Sequence, residues 1–323
     1  MSAGAVIQRI KAYDVLNAGV SLGFKGLSFR EDNSPHWEGF DIDLAKAAAI
    51  AVLGDSRKIN FIPLQSEDRF QALKDNVIDL GCFNSSITFQ RESKYSVSFV
   101  HPMLFDGEIL MTHVDNLING VPEAKATKKR YIAAMRGSTT KDNLERYFGE
   151  LGLSCDIKLF ESPQTAREAY QKGECNIYCL DSYLLSGERM QLEDQEKHLL
   201  LKDRISLEAM SPAVSSYDPL WHSAVSWVMK ALIEAENLSI NKDNVHAKYK
   251  SSTGYLNNFL QPPKDFCKKL GLQAEFTYKI ISEIGNYGEI FERNLGKKSI
   301  LNQERRDNKP WAEGGMLYSP LFI

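Results

Sequence analysis

The sequence contains no apolar run that approaches the roughly 20 residues of a bilayer-spanning helix, so no transmembrane segment is predicted. It also lacks an excess of positive charge: 39 Lys and Arg residues stand against 42 Asp and Glu residues, and the formal net charge is -3. Because nucleic-acid-binding surfaces are usually basic, we expect no nucleic-acid partner. Hydrophobic residues make up 43% of the chain and charged residues 25%, which argues against disorder and predicts a folded globular protein.

Motifs for metal binding are also missing. The five cysteines form no C-x-x-C pair and the six histidines no H-x-x-x-H pair, which are spacings that bind zinc. Cys175 and Cys179 fall in a predicted buried strand, where packing as small apolar side chains is the simpler interpretation. We therefore predict no metal site and no cofactor. Because the number of cysteines is odd, at least one is unpaired or pairs with another chain.

The first 15 residues, MSAGAVIQRIKAYDV, show no apolar stretch followed by a small-residue cleavage site, so no signal peptide is predicted there. A cytosolic protein begins in this way. An exported protein whose leader has been removed does so too, and both localisations stay open at this point.

Two stretches of the chain repeat the pattern of a strand, a helix and another strand, which predicts parallel sheets. A chain of 323 residues also exceeds what one hydrophobic core usually serves, so we expect two lobes. In the first stretch the predicted strands cover residues 18–22, 59–64 and 78–83. Asp41 and Asp43 open the first helix and Gly54 follows it, because acids favour a helix N-terminus and glycine a C-cap. Ser66 is the expected cap of the second helix.

The second stretch has predicted strands at residues 131–135, 156–160 and 176–181. Ser162 and Pro163 begin the helix between the last two strands, since serine is a good N-cap and proline fits the first helical turn. Asp218 and Pro219 begin a further, long helix, and the remaining chain is predicted to wrap around one lobe. Two such units predict an α/β fold with a ligand crevice where the carboxyl ends of strands face each other.

Two loops and one strand end carry groups that suit a small zwitterion. Residues 84–91, NSSITFQR, offer hydroxyl groups and the guanidinium of Arg91, which can grip both oxygens of a carboxylate; a solvated loop is the alternative. Ser138 and Thr139, in the loop RGSTT, stand at a helix N-terminus that favours an anion, although they would also serve as ordinary caps. Asp181 ends a strand and suits an ammonium group, or else begins a turn. An anion grip from both lobes with a single acid nearby is the charge pattern of an α-amino acid.

The segments GFDIDLAKAAAIAVLGD, RFQALKDNVIDLG, NSSITFQR, RGSTT and CNIYCLD occur in the order and spacing of the family 3 extracellular solute-binding proteins of ABC transporters. The chain resembles this family over nearly its whole length. Near the C-terminus, IGNYGEIFERNLG and WAEGGMLYSP are similar to the general L-amino-acid-binding proteins within it.

The resemblance implies an α/β fold with two lobes, of the periplasmic-binding-protein-like type II class. Each lobe is then a mostly parallel sheet flanked by helices, and crossover strands join the lobes. We expect lobe 1 to comprise residues 1–105 and 206–323, and lobe 2 to comprise residues 106–205. The resemblance also implies a monomeric periplasmic protein whose leader has been removed. Such a protein binds an L-amino acid in the interlobe cleft and delivers it to a membrane permease of an ABC transporter without a chemical reaction.

Four site residues take their roles from this resemblance. Arg91 pairs with the α-carboxylate of the ligand, with help from Ser86 of the same lobe. Thr139 adds a contact to that carboxylate from the other lobe. Asp181 holds the α-amino group.

Further positions either match the family pattern or depart from it. Phe70 matches an aromatic ring that relatives place against the ligand side chain, although periodicity alone predicts a core residue, and Asn84 would add a backbone or side-chain contact.

Ser21 stands where relatives selective for basic ligands carry an acid, which disfavours lysine or arginine as ligand. Phe83 replaces an arginine that is common in the general binding proteins, which argues against broad specificity. Many of those relatives form a disulfide between a cysteine that matches Cys175 and a second cysteine near the position of Ala133. This chain lacks the second cysteine, so we expect the disulfide to be absent.

Two other functions remain open from the sequence. Cyclohexadienyl dehydratases, which act on prephenate or arogenate, resemble these binding proteins but need a general acid. Glu67 and Glu161 lie in regions predicted to face the cleft, and no motif marks either as that acid. A ligand-sensing domain of a transcription regulator shares the architecture, but the sequence shows no helix-turn-helix segment before the first strand.

For lobe closure we expect bending at residues 104–107 and 204–208.

Overall fold

The computed structural model describes residues 4–31, 34–121, 123–127 and 130–323. The strands are β1 Leu16–Val20, β2 Ile59–Pro63, β3 Leu80–Gly81, β4 Val97–Phe99, β5 Leu104–Asp106, β6 Glu108–His113, β7 Tyr131–Met135, β8 Asp156–Phe160, β9 Ile177–Asp181, β10 His198–Leu200, β11 Glu208–Met210 and β12 Ala213–Ser215. The α-helices are α1 Ala5–Tyr13, α2 Phe40–Leu53, α3 Arg69–Lys74, α4 Phe89–Tyr95, α5 Thr140–Glu150, α6 Pro163–Gln171, α7 Ser182–Arg189, α8 Pro219–Asn237, α9 Val245–Ser251, α10 Gly254–Leu260, α11 Lys264–Lys269, α12 Phe276–Glu283 and α13 Tyr287–Asn294. Within these described ranges, no helix combines the length and the apolar character needed to cross a bilayer.

The first sheet has the strand order β2-β1-β3-β12-β4. Strands β2, β1 and β3 are parallel, and β12 is antiparallel to its neighbours β3 and β4. Helix α2 covers this sheet and is apolar on nearly all sides, because α8, α12 and α13 pack against its outer face. The three strands predicted for the first stretch are confirmed as elements, although the last is only two residues long.

The second sheet has the strand order β10-β6-β9-β7-β8. Strands β9, β7 and β8 are parallel, whereas β6 is antiparallel to both β9 and β10. Leu110, Ile132 and Ile177 are buried in a core of their own beneath this sheet. The three strands predicted for the second stretch are confirmed, and the chain therefore folds into two α/β lobes.

Two short strands connect the lobes. β5 and β11 form an antiparallel two-stranded sheet in which Leu104 pairs with Met210 and Asp106 with Glu208. These strands overlap both segments that we expect to act as hinges. We propose lobe boundaries at residues 105/106 and 205/206, next to this crossover.

Helix ends follow the predicted caps in most places. Gly54 has the left-handed conformation (φ 75°) that a C-cap requires, and the side chains of Ser162 and Asp218 accept N-cap hydrogen bonds as predicted. The prediction for Ser66 is wrong, because the Asp68 N–H bonds the Gln65 carbonyl oxygen in a turn and α3 begins only at Arg69.

The segment after α13 reaches back to the crossover. Asn308 exchanges two hydrogen bonds with the backbone of Phe105 on β5, at 2.6 and 2.7 Å. Asp307 forms an ion pair with Arg204, which lies just before β11, at 3.0 Å. The predicted wrap therefore extends from the helices on the first lobe to the connection between the lobes.

Candidate ligand-binding site

A narrow cavity of about 40 Å³ lies between the two sheets, where strand ends from both lobes meet. Six of the predicted site residues line it: Asn84, Ser86, Arg91, Ser138, Thr139 and Asp181. The lobes touch beside it, since a Cβ on Gly137 (φ 72°) would lie only 2.9 Å from the backbone nitrogen of Glu67. Glycine is required at this position, both for its positive φ and for the close approach.

Arg91 projects into the cavity from the first turn of α4. The predicted loop 84–91 is helical from Phe89 onward because Thr88 caps α4 by accepting a hydrogen bond from the Arg91 N–H. The Arg91 guanidinium donates to the Ser86 carbonyl oxygen at 2.6 Å and lies 5.1 Å from the centre of the Phe70 ring. Burial lowers the pKa of this guanidinium, which stays charged at neutral pH.

Phe70 lies in a hydrophobic cluster and does not line the main cavity. Its side chain is 3% exposed and packs against the rings of Phe83, Tyr95 and Phe99. The Phe70 ring therefore packs against the Arg91 guanidinium from the hydrophobic core of the first lobe. It also forms part of the wall of a second, adjoining cavity of about 210 Å³, which shares Arg91 with the first.

Three carboxylates meet at the main cavity, which Glu108 and Asp181 line and Glu208 adjoins. The sequence predicts a single acid there, and that prediction is wrong. Glu108, Asp181 and Glu208 each place one oxygen within 4.8 Å of the others. Burial and then the charge of Glu208 raise the pKa of Glu108 to about 7 and that of Asp181 well above its usual range. One oxygen of Asp181 is buried without a hydrogen-bond partner among the described residues. The three carboxylates therefore repel one another and lack enough positively charged partners to balance them.

A cation is the chemical complement of this cluster. An ammonium group offers three N–H donors, one for each carboxylate. A hard metal ion such as Ca²⁺ takes six to eight oxygen ligands, and the three carboxylates would supply only part of that set. An ammonium group therefore fits the residues present better than a metal ion does.

Glu208 collects hydrogen bonds from both lobes. Ser86 from the first lobe and Thr139 from the second both donate their hydroxyl protons to it, the latter at 3.1 Å. The amide of Asn143 donates at 2.7 Å and the hydroxyl of Ser206 at 2.8 Å. The two hydroxyl groups that the resemblance assigns to a ligand carboxylate thus bind a carboxylate of the protein in this structure.

Ser138 and Thr139 differ in what they do at the start of α5. The Ser138 hydroxyl donates to the Met135 carbonyl oxygen at 2.7 Å. Thr139 precedes the helix without capping it through its side chain, because its hydroxyl is directed to Glu208. Thr139 is therefore not an ordinary helix cap.

Ser21, Asn84 and Arg69 form a buried network at the edge of the cavity. The Ser21 hydroxyl donates to Asn84 Oδ1 at 2.7 Å, and Arg69 donates to the Ser21 hydroxyl at 2.9 Å and to the Phe83 carbonyl oxygen at 2.9 Å. Ser21 itself is not part of the cavity wall, whereas Asn84 and Arg69 are. Burial raises the pKa of the nearby Asp41 to about 7, and the charge of Arg69 partly offsets this effect.

The predictions missed Glu108, Glu208 and Arg69. Glu208 lies at the end of a predicted hinge segment, Glu108 follows the other hinge segment directly, and Arg69 precedes Phe70 in a predicted helix. None of the three belongs to a motif that indicates ligand contact. Of the two glutamates predicted to face the cleft, Glu67 lines the second cavity, which residues of both lobes form. Glu161 instead forms a half-exposed ion pair with Arg136.

Known proteins show the same sequence pattern and fold. The profile of the bacterial extracellular solute-binding proteins, family 3, matches residues 16–242. The general L-amino acid-binding periplasmic protein AapJ of Rhizobium johnstonii is 33% identical over 321 residues, which are 99% of this chain and 93% of AapJ. The glutamate/glutamine/aspartate/asparagine-binding protein BztA of Rhodobacter capsulatus is 31% identical over 99% of this chain and 94% of its own length. A solved ABC transporter periplasmic binding protein from Brucella ovis with glutathione bound superimposes with a TM-score of 0.93, at 32% identity, over 98% of this chain and 99% of that one.

Proposed function

Because this chain belongs to family 3 of the bacterial extracellular solute-binding proteins, we propose that it binds an L-amino acid, or a compound with a free α-amino-acid group, in the cavity between its lobes. Its relatives are solute-binding components of amino-acid ABC transporters, and AapJ is a periplasmic protein by name. In this proposal the chain acts in the periplasm as a monomer. The liganded form delivers its solute to a membrane permease, and the protein catalyses no reaction.

One observation carries the proposal: Arg91 from one lobe and Asp181 from the other line the same cavity. Arg91 is a fixed positive charge that suits an α-carboxylate. Asp181 is a half-buried residue with one fully buried carboxylate oxygen. Its raised pKa reflects desolvation and the repulsion of neighbouring acids, and an α-ammonium group would offset both effects. The two charges face the two poles of a zwitterion.

The ligands named for relatives share this zwitterionic group. The name of BztA gives glutamate, glutamine, aspartate and asparagine, and the Brucella structure contains glutathione. Glutathione carries a free α-amino and α-carboxylate group on its glutamyl residue. Both kinds of ligand therefore support an α-amino-acid head group as the common feature.

The position of Glu208 on the crossover strand β11 bears on how the lobes close. We propose that the lobes move about β5 and β11, at residues 104–107 and 204–208. In the structure Glu208 already joins donors of the two lobes. A ligand carboxylate that reaches Arg91 would compete for the hydroxyl groups of Ser86 and Thr139. Its ammonium group would at the same time neutralise part of the carboxylate cluster.

A ligand screen tests the proposed function. Thermal melts with the twenty L-amino acids, their D-enantiomers and glutathione should show a rise in melting temperature for a subset of the L-compounds, because a ligand that binds only the folded state stabilises it. Calorimetry then gives the affinity of each hit. The absence of any stabilisation by the whole set would contradict the proposal.

A dehydratase is the second candidate because the site contains carboxyl groups with raised pKa values. A buried carboxyl such as Glu108, with a pKa of about 7, is suited to act as a general acid at neutral pH. Incubation with prephenate or arogenate distinguishes the two functions. Formation of an aromatic product would favour the enzyme, whereas binding of amino acids without turnover would favour transport.

A further inference from the structure

Asp181 stands at the N-cap position of α7, yet its side chain does not cap the helix. An aspartate at this position ordinarily accepts a hydrogen bond from the N–H of the second or third helical residue. Here the carboxylate lines the proposed ligand cavity, and one of its oxygens has no hydrogen-bond partner among the described residues. Another group must therefore satisfy the first N–H groups of α7.

Asp106, the last residue of the crossover strand β5, supplies this cap. Its carboxylate accepts hydrogen bonds from the Tyr183 N–H at 2.9 Å and from the Ser182 hydroxyl. The carbonyl oxygen of Gly107 accepts from the Ser182 N–H at 3.0 Å. The segment that connects the lobes thus caps α7 from outside the helix and takes the place that Asp181 would otherwise fill.

The Asp106 cap is buried and held in place. Asp106 is 3% exposed and Ser182 is 1% exposed, and neither residue lines the cavity. Burial raises the pKa of Asp106 to about 6, so its carboxylate is ionised at neutral pH and can accept both hydrogen bonds. Arg306, in the segment after α13, donates to the Ser182 hydroxyl oxygen at 3.0 Å and so fixes that hydroxyl group. Asp106 therefore lies behind the ligand site and not in it.

We propose that Asp106 is a positioning residue for ligand binding: it caps α7 in place of Asp181 and thereby keeps the Asp181 carboxylate free for an α-ammonium group. This inference rests on the proposed function, which assigns that group to Asp181. Without Asp106 the Tyr183 N–H loses its acceptor, and Asp181 already occupies the N-cap position with a carboxylate that can replace it. The Asp181 carboxylate then turns toward its own helix and away from the ligand.

Two substitutions at Asp106 separate its cap from its charge. Asp106→Asn and Asp106→Ala both remove the charge, which itself raises the pKa of Asp181, but only asparagine keeps an acceptor oxygen for the Tyr183 N–H. Calorimetry compares L-alanine with L-lactate, L-aspartate with L-malate, and L-glutamate with L-2-hydroxyglutarate. We expect Asp106→Ala to weaken binding of the amino acids by about tenfold or more and of the hydroxy acids by less than about threefold. Asp106→Asn should change both by less than about threefold, because the cap remains.

Ser162→Ala is the matched control, because Ser162 caps α6 in the same lobe and lies away from both cavities. Both alanine variants should lower the melting temperature, since each removes a helix cap. Only Asp106→Ala should change the preference for amino acids over hydroxy acids. Equal losses for the two classes of ligand in Asp106→Ala would show a purely structural role and overturn the inference. The same losses in Asp106→Asn as in Asp106→Ala would assign the effect to charge and would overturn it too.

Hydrogen exchange of the Tyr183 amide, followed by NMR, tests the cap without a ligand and without a change at Asp106. If Asp106 provides the cap, Asp181→Ala should leave the exchange rate of this amide within about threefold of that in the unmodified protein. Faster exchange than this would show that Asp181 caps α7 in solution and would overturn the inference, whether or not the Asp106 variants fold. Absence of binding to all twenty L-amino acids would instead contradict the proposed function, and the exchange rate would still decide which residue caps α7.

Discussion

Thr139, which precedes α5 in the second lobe, donates a hydrogen bond at 3.1 Å to Glu208 on the crossover strand β11. Ser86 from the first lobe donates to the same carboxylate. Glu208 therefore links the two lobes through these hydrogen bonds. A carboxylate of the protein thus accepts from the two hydroxyl groups that the proposed function assigns to a ligand carboxylate.

Glu208→Ala should open the ligand-free protein. The change removes an acceptor shared by donors of both lobes, and each lost hydrogen bond is worth about 1 kcal/mol. We expect a larger radius of gyration for the ligand-free variant than for the unmodified protein in small-angle X-ray scattering, and equal radii once ligand is saturating. Glu161→Ala is the control, since that acid pairs with Arg136 away from the cavity. Unchanged scattering of the ligand-free variant would show that Glu208 does not hold the lobes together.

Arg91→Ala should abolish amino-acid binding and leave the fold intact. Loss of a charge-assisted pair with the ligand carboxylate corresponds to about 3 kcal/mol, or at least roughly 100-fold in affinity. The side chain contributes one hydrogen bond to Ser86, so the melting temperature should change little. Calorimetry decides the question. Lys94→Ala, on the same helix but outside the main cavity, is the control, and unchanged affinity in Arg91→Ala would remove Arg91 from the site.

The sequence predicts which strand ends meet but not how many acids they bring. The carboxyl ends of parallel strands lie at one edge of a sheet, which is why Arg91 and Asp181 could be assigned to a common crevice. Glu108 could not, because its place beside Asp181 depends on the antiparallel register of β6 with β9, in which the two residues pair directly. The position of Glu208 near these residues depends in the same way on its pairing with Asp106 between the crossover strands β11 and β5. Register between distant strands leaves no mark in a single sequence.

Arg69 shows a second limit. In the sequence it is one charged residue in a short amphipathic helix, where exposure to solvent is the ordinary expectation. It is buried because Phe83 and Ser21, which follow separate strands, converge on α3 and supply hydrogen-bond acceptors for it. Helix periodicity predicts the core role of Phe70, but it carries no information about such partners.

Asp181→Asn should discriminate ligands by their α-amino group. The asparagine keeps the size of the side chain but loses the charge that would hold an ammonium group. We therefore expect a loss of about tenfold to 100-fold for L-amino acids that bind the unmodified protein, and a loss of less than about threefold for the corresponding 2-hydroxy acids, which lack that group. Calorimetry on matched amino and hydroxy acids measures both losses. Equal losses for the two classes would contradict the assigned role.

Amino-acid affinity should rise as the pH is raised from 5.5 to 7. Burial and neighbouring acids raise the pKa of Glu108 to about 7 and that of Asp181 well above its usual range, so the cluster retains protons at mildly acidic pH. An ammonium group favours the ionised carboxylates and lowers these pKa values, so binding below pH 7 releases protons, and higher pH favours the complex. Calorimetry at pH 6 in two buffers with different ionisation enthalpies counts the protons released. Glu108→Gln should release fewer protons than the unmodified protein, whereas an affinity that falls as the pH rises from 5.5 to 7 would show that the cluster does not receive the ammonium group.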